Sequence, residues 1–297
     1  LIDQYGPKGK GTLNLAQDYR NIFVDFYGGN NPELIFFRPV GKNKSIETAN
    51  GPLGFSGNSL GNGNTNPTQN LVESFLMKDG TKYVSTSVDD PFKNRDPRLD
   101  FTILHHGSHW LNTTLDTQVG GTHNPSGAQY SRTCYYMAKF MKDYQTSSNY
   151  EDNIHLWVMY RYGEVLLNYA EALNEAEGPV DDVYKYVDAI RKRAGLPGLA
   201  KGLDKDKMRE RIQHERQIEL AFEAGHRYFD CHRWKIAEKT DNGYMHGMNI
   251  TATNKVDYSK RSTVGDSRVF EKKHYLFPIP QSEMDKQIGL VQSPYWE

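Results

Sequence analysis

A pair of strongly helical segments in the carboxyl-terminal half constrains the fold most. Along Trp157–Glu177, apolar residues recur at the spacing of one helix face, and charged residues occupy the opposite face. The dipeptide Gly178-Pro179 ends this pattern. A second amphipathic pattern covers Asp181–Gly195, with a glycine at its end and a proline just beyond. The short turn between the two segments predicts an antiparallel helical hairpin.

The predicted hairpin has the size of a tetratricopeptide-type repeat, about 34 residues. One such unit cannot bury its own apolar faces, so it needs neighbouring helices. Helical patterns also cover Thr12–Phe26, Pro67–Gly80 and Asp204–Ala224, and a further one resumes after Gly225. We therefore predict a mainly α fold, a tetratricopeptide-like helical repeat with long irregular loops and a few short strands.

Strand and loop signals lie between these helices. A proline-bounded run, Glu33–Val40, predicts a short strand, and Asp96–Leu104 is predicted to run into another. The segment Gly41–Asn66 is dense in glycine and asparagine and predicts a long loop. Loops beyond about 15 residues without structure of their own are usually functional or disordered. The polar, turn-rich segment Leu111–Asn149 gives no assignment.

Charge, hydropathy and cysteine content exclude several classes of protein. The formal charge is -1 and the isoelectric point is near 6.9, so the basic excess of a nucleic-acid-binding protein is absent. No run of about 18 apolar residues predicts a membrane-spanning helix. Cys134 and Cys231 are too few for a disulfide framework. Two separate small apolar side chains are the favoured interpretation, and one disulfide is the alternative.

Three glutamates, Glu215, Glu219 and Glu223, are spaced four residues apart on one predicted helix. Paired carboxylates can catalyse glycoside hydrolysis, but like charges on one stripe repel each other unless they are paired. Arginines close in sequence offer partners: Arg209, Arg211, Arg216, Arg227 and Arg233. A structural ion-pair network is therefore favoured, and no catalytic residue is predicted. A glycoside hydrolase acting through Glu215 or Glu219 is the enzymatic alternative.

The segment HHGSH contains His105, His106 and His109 but does not predict a metal site. Imidazoles four residues apart can share a metal on a helix, yet Gly107 interrupts the segment and a strand pattern precedes it. The sequence also has no Walker loop, no dinucleotide fingerprint placed between a strand and a helix, and no nucleophile elbow. We therefore predict neither a metal nor a cofactor.

Aromatic residues make up 12% of the chain, and some lie in segments rich in Asn, Gly and Ser. A flat ring offers an apolar face to a sugar, while neighbouring amides bond its hydroxyl groups. Loop aromatics beside asparagines are therefore consistent with carbohydrate binding. On this basis the candidate ligand-binding residues are Phe55, Asn58, Trp110, Tyr130 and Tyr27.

Four sequence segments together resemble the SusD/RagB family of outer-membrane nutrient-binding proteins. They are PTQNLVESFLMKDG with RDPRLDFTIL, MYRYGEVLLNYAEALNEAEG with AIRKRAGLPG, ERQIELAFEAGHRYFDCHRW, and YLFPIPQSEMDKQ. The segments occur in the family's order and span the chain from Pro67 to its end. The combination is specific, although no single segment is.

The resemblance implies a non-enzymatic, lipid-anchored protein on the cell surface. Such proteins have an α-helical fold with tetratricopeptide-like units and long loops that carry the ligand site. They capture oligosaccharides, or in some cases peptides, and deliver them to a TonB-dependent outer-membrane transporter. Residues 1–297 would then be the carboxyl-terminal part of a single SusD/RagB-like domain, without the amino-terminal helical part and its lipid-modified cysteine. A helical-repeat scaffold that binds a protein or peptide partner is the remaining alternative.

Overall fold

A computed structural model describes residues 1–25, 31–52, 61–84, 90–123, 131–142, 144, 150–250, 252–253, 255–256, 261–287 and 289–296. The helices are α1 Ile2–Tyr5, α2 Asn21–Val24, α3 Ser45–Asn50, α4 Gln69–Ser74, α5 Arg98–Thr102, α6 Tyr162–Glu177, α7 Asp181–Arg193, α8 Lys205–Glu219, α9 His226–Arg233, α10 Ala237–Thr240 and α11 Gln281–Met284, with a 3-10 helix at Lys272–Tyr275. The strands are β1 Leu34–Asn43, β2 Ile103–Leu104, β3 His109–Trp110, β4 Thr113–Thr114, β5 Tyr136–Met137, β6 Asn153–Arg161, β7 Gly243–Met248, β8 Ala252–Thr253, β9 Lys255–Val256 and β10 Arg261–Arg268. The strands pair antiparallel, two by two: β1 with β6, β2 with β5, β3 with β4, β7 with β10 and β8 with β9.

The predicted helical hairpin is confirmed as α6 and α7, and α6 also packs against α8. Gly178 permits the turn between α6 and α7 because its φ of 83° lies in the left-handed region. The three helices share a core in which Ala170, Val187 and Met208 are fully buried. Burying a large apolar side chain such as Val187 contributes roughly 1.5–3 kcal/mol. The helical part of the fold prediction is therefore confirmed, whereas the tetratricopeptide-type repeat stays a prediction.

The predicted start of the first long helix at Trp157 is wrong, because residues 153–161 form strand β6. This strand pairs antiparallel with β1, which confirms the predicted strand at Glu33–Val40 and extends it to Asn43. Strands β1 and β6 form a two-stranded ribbon. Leu156 and Val158 are buried on one face of this β1–β6 ribbon, while Trp157, on the other face, is 62% exposed. The alternation of burial is that of a strand with one covered face. The helix therefore begins only at Tyr162.

The predicted helix at Thr12–Phe26 is wrong over most of its length, because residues 12–20 are not helical. The Glu33 carboxylate accepts a hydrogen bond from the backbone N–H of Ala16 (2.7 Å), and the Asp18 carboxylate accepts one from that of Arg20. Side chains thus satisfy backbone groups that a helix would otherwise pair. The short helix α2 remains, and its apolar side chains join the core beside β6.

Three other element boundaries differ from the sequence predictions. Helix α4 ends at Ser74, before Gly80, and its first turn is capped by Thr68, whose side chain accepts from the backbone N–H of Leu71. The predicted strand at Asp96–Leu104 is mostly helix α5, followed by the two residues of β2. The predicted loop at Gly41–Asn66 contains helix α3.

The segment Leu111–Asn149, which had no sequence assignment, contributes much of one core cluster. Leu115, Tyr136 and Met141 are fully buried there beside Trp110. The free cysteines Cys134 and Cys231 are both buried and do not form a disulfide, which confirms the favoured interpretation. Within the described ranges, no helix is both long and apolar enough to cross a membrane.

Candidate binding cleft

The three glutamates spaced along α8 are structural, as the sequence favoured. Glu219 is fully buried and accepts hydrogen bonds from Arg98 (2.9 Å), Arg161 (2.8 Å) and Arg193. Arg161 also donates to Glu33 (2.6 Å) and Glu223 (2.7 Å). Since each carboxylate has charged partners, the repulsion along the stripe is offset.

Over the described residues, these contacts belong to a buried ion-pair network in which acidic and basic side chains are equal in number. Its side chains are at most 5% exposed, and its members are five carboxylates, Glu33, Asp96, Glu215, Glu219 and Glu223, and five cations, Arg98, Lys139, Arg161, Arg191 and Arg193. The network joins residues before β1 to α5, α7 and α8, so it fixes distant parts of the chain to one another.

The arginines predicted as partners for the glutamates were the wrong ones. Arg209 donates to Glu175 (2.6 Å), Arg216 to Asp230 (2.9 Å) and Arg233 to Glu171. Arg211 is exposed and Arg227 is half-buried. The true partners are arginines of α5, β6 and α7 together with Lys139, and each lies at least 24 residues from the glutamate that it contacts. Nearness in sequence therefore did not identify them.

The electrostatics of this network argue against the hydrolase alternative. Burial disfavours the charged form of Glu219, but Arg193, Arg161 and Arg98 outweigh it and hold the pKa of this carboxyl well below its usual range. A general acid for glycoside hydrolysis needs a raised pKa and access to the sugar. Glu215 and Glu219 are 1% and 0% exposed, so neither carboxylate is accessible to a glycan.

Two histidines of HHGSH, His105 and His106, each contact a different carboxylate. His105 Nε2 lies 2.9 Å from Asp100, and His106 Nδ1 lies 3.7 Å from Asp116. Among the residues that the structure describes, no group of three His, Cys, Asp or Glu side chains is placed to hold a metal ion.

The predicted ligand-binding residues are not brought together within the described part of the chain. Phe55, Asn58, Tyr130 and Tyr27 lie outside the described residues. Trp110 is fully buried, with its ring stacked on Tyr144 at a centroid distance of 5.4 Å. The exposure that the prediction requires is therefore not found at Trp110, because the core covers its ring.

A surface cleft beside α4 has the chemistry that the sequence led us to expect of a sugar site. It consists of two adjoining pockets of about 430 and 550 Å³ that share Thr68. We call it the polar cleft. Its first pocket is lined by Asn62, Asn64, Asn66, Thr68, Arg132 and Thr133, among others. Its second is lined by Thr68, Asn70, Gln217, Arg227, Tyr228 and Arg268, among others.

The amides of the first pocket come from the glycine- and asparagine-rich segment. The backbone N–H groups of Asn62 and Asn64 donate to carbonyls of α3, at 2.8 and 3.0 Å. The Asn66 side chain accepts from the backbone N–H of Arg132 (2.7 Å). These bonds fix the backbone, while the side chains of Asn62 and Asn64 stay exposed. Such amides can donate to and accept from sugar hydroxyl groups.

An exposed aromatic ring lies at the second pocket. Tyr228 comes from α9, is 44% exposed, and packs against His232 with ring centroids 4.0 Å apart. The turn before α9 holds Phe222 at a φ of 64° and Gly225 at 75°. Glu223 lies between them and is anchored by Arg161 and Lys139. The buried network therefore sets the position of the turn and of the helix that carries Tyr228.

Sequence reasoning missed Tyr228 because its segment was interpreted as structural. A signal was present, since adjacent helical residues point about 100° apart, so a narrow buried face would leave one of two adjacent aromatics outside. The buried residues of α9 are Asp230 and Cys231, and both Tyr228 and Phe229 are exposed.

A titratable pair, Glu164 and His226, lies at the second pocket, which His226 lines, with Oε2 and Nε2 3.5 Å apart. Burial raises the pKa of Glu164 from 4.5 to about 7 and outweighs the attraction of Arg216. In the unfolded chain the carboxyl has its ordinary pKa of 4.5. Between pH 4.5 and pH 7 the native state therefore keeps a proton that the unfolded state has released. The resulting stabilisation is full below pH 4.5 and is lost as the pH rises through 7.

We therefore expect Glu164→Gln to gain stability over the wild type as the pH rises. The gain should be near zero at pH 4.5 and about 1–2 kcal/mol at pH 7.5, since water still reaches this pair and screens it. Urea unfolding at several pH values measures the difference. Glu177→Gln, at the exposed end of α6, is the control. A difference that does not change with pH would contradict the assignment.

Comparison with known proteins gives consistent matches. The family model of the SusD family matches residues 32–296 of this sequence. SusD-like protein P2 of Formosa agariphila is 31% identical over 156 residues, covering 50% of this chain and 26% of that protein. SusD-like protein P25 of the same organism is 28% identical over 244 residues, covering 72% of this chain and 42% of that protein. The chain thus spans less than half the length of these curated relatives.

Two solved structures from Bacteroides fragilis share the fold. A SusD-like protein superposes with a TM-score of 0.80 at 29% identity, covering 97% of this chain and 59% of that one. A SusD-like carbohydrate binding protein superposes with a TM-score of 0.76 at 26% identity, covering 93% and 57%.

Proposed function

This chain belongs to the SusD family, and from that premise we propose that it is a non-catalytic protein that binds oligosaccharides at the polar cleft. The observation that carries the proposal is the pairing of exposed amides with an exposed ring. Asn62 and Asn64 lie in one pocket and Tyr228 in the next. A sugar can stack its C–H face on the ring and exchange hydrogen bonds with the amides.

Two further observations support binding without catalysis. The paired glutamates that a hydrolase would need are buried in ion pairs. A structural relative is described as a SusD-like carbohydrate binding protein, which is the activity that we propose for this chain.

We further propose that the captured glycan passes to a TonB-dependent transporter of the outer membrane. The whole protein would be surface-exposed and held to the membrane by a lipid anchor. Residues 1–297 would form the carboxyl-terminal part of a single SusD-like domain, and they cover 59% and 57% of the two matched solved chains. These proposals rest on the family.

Affinity electrophoresis tests the binding proposal. The chain is run through gels that contain plant, microbial or host polysaccharides, and a reducing-sugar assay is run on the same mixtures. We expect retardation by at least one polymer and no new reducing ends. New reducing ends would favour an enzyme. Absence of retardation in every gel, together with binding of a peptide library, would favour a peptide-binding protein.

A further inference from the structure

Three arginines line the polar cleft. Arg132 lies in the first pocket, and Arg227 and Arg268 lie in the second. Among the described residues, none of the three forms an ion pair with an acidic side chain. Arg268 Nη2 lies 3.5 Å from the carbonyl oxygen of Thr240, and Arg132 uses its backbone N–H to bond Asn66. Within the described part of the chain, no carboxylate therefore competes with a ligand for these guanidinium groups.

The acidic side chains at the cleft do not balance these charges. Glu223 lies in the second pocket but is neutralised by Lys139 (2.7 Å) and Arg161 (2.7 Å). Asp241 is the other carboxylate among the described residues that line the two pockets. Burial lowers the pKa of His226, which favours the neutral form of this ring. Counted over its described lining residues, the cleft thus carries three positive charges against one unpaired negative charge, although the chain as a whole has a formal charge of -1.

We propose that the polar cleft selects anionic glycans, with carboxylate or sulfate groups on the sugars. The proposal deepens the proposed function and rests on it. A guanidinium group presents a planar fork of N–H donors that matches the oxygens of carboxylate and sulfate. The amides of Asn62 and Asn64 bind hydroxyl groups of the glycan that lie between its charged groups. The ring of Tyr228 stacks against a sugar. Three arginines along two adjoining pockets fit a polymer whose charges repeat along its length.

Matched pairs of polymers test the selectivity. Polygalacturonate is compared with its carboxyl-reduced neutral form, and dextran sulfate with dextran, by affinity electrophoresis and calorimetry. We expect the charged member of at least one pair to bind about ten-fold more tightly in 50 mM salt and to lose most of this advantage in 500 mM salt. The pair that shows the preference distinguishes carboxylate from sulfate recognition.

The triple variant R132Q/R227Q/R268Q should lose this preference and keep any affinity for the neutral polymer. The control variant R38Q/K192Q/R211Q removes three exposed positive charges that line neither pocket, and should keep the preference. If both triple variants lost the preference for the charged polymer equally, the proposal would be overturned. The attraction of the polymer would then depend on the net charge of the chain and not on the polar cleft. Equal binding of charged and neutral polymers would overturn the selectivity but leave glycan binding intact. Binding to no polymer would overturn both.

Discussion

Replacing Arg161 by methionine should lower the free energy of unfolding by about 3–5 kcal/mol. The guanidinium group of Arg161 is 1% exposed and donates to three buried carboxylates, Glu33, Glu219 and Glu223. Methionine fills similar space but leaves these carboxylates with an excess of negative charge in a medium that solvates charge poorly. Removing one partner of a buried ion pair lowers stability far more than replacing both partners by apolar side chains, because the remaining charge stays buried without compensation.

Thermal and urea unfolding of the variant measure the loss. For large domains each kcal/mol shifts the melting temperature by about 2–4 °C, so a loss of about 3–5 kcal/mol should lower it by about 6–20 °C. The control is Arg209→Met, which removes a salt bridge whose arginine is 35% exposed, and it should cost less than about 1 kcal/mol. Equal losses in the two variants would show that the buried network has no special structural role.

Replacing Tyr228 by alanine should weaken glycan binding about thirty-fold, or about 2 kcal/mol. Its ring is the exposed aromatic surface of the second pocket, beside the donors and acceptors of Asn70 and Gln217. Removing it takes away the apolar platform for the sugar and leaves the amides in place. Since the ring is 44% exposed, the free energy of unfolding should change by less than about 1 kcal/mol.

Phe229→Ala is the matched control for this variant. Phe229 is the next residue of α9, is 62% exposed, and does not line either pocket of the polar cleft. Calorimetric titration with the retained polymer should therefore show nearly wild-type affinity. If Phe229→Ala reduced affinity as strongly as Tyr228→Ala, the ligand would contact the outer surface of α9, and the polar cleft would not be the main site.

The fold was predictable from the sequence where the structure depends on local pattern. Helices α6 to α9 follow amphipathic spacing, and α6 and α7 end at or beside a glycine, Gly178 and Gly195. Both signals are properties of neighbouring residues. The prediction failed at Trp157, because a short run of apolar residues fits the pattern of a strand as well as that of a helix. Pairing with β1 makes this segment a strand. It failed at Thr12–Phe26 because a carboxylate 17 residues away, that of Glu33, bonds the backbone.

The candidate site was less predictable, since it is assembled from distant segments. The sequence pointed to the glycine- and asparagine-rich segment, which supplies Asn62 and Asn64 to the cleft. It did not identify Tyr228 or the arginines, because nothing in one segment indicates that α4, α9 and β10 meet. Trp110 failed as a candidate since a polar neighbourhood in sequence does not prevent burial in space. Long-range packing decides exposure.

Hydrogen exchange with and without the retained polymer tests most directly whether the polar cleft is the glycan site. The backbone amides of residues 61–70, 131–133 and 222–228 line or adjoin the cleft. We expect ligand to slow exchange in these segments and to leave the β1–β6 ribbon, with its exposed Trp157, unchanged. Protection of the ribbon without protection of the cleft segments would contradict the proposed site.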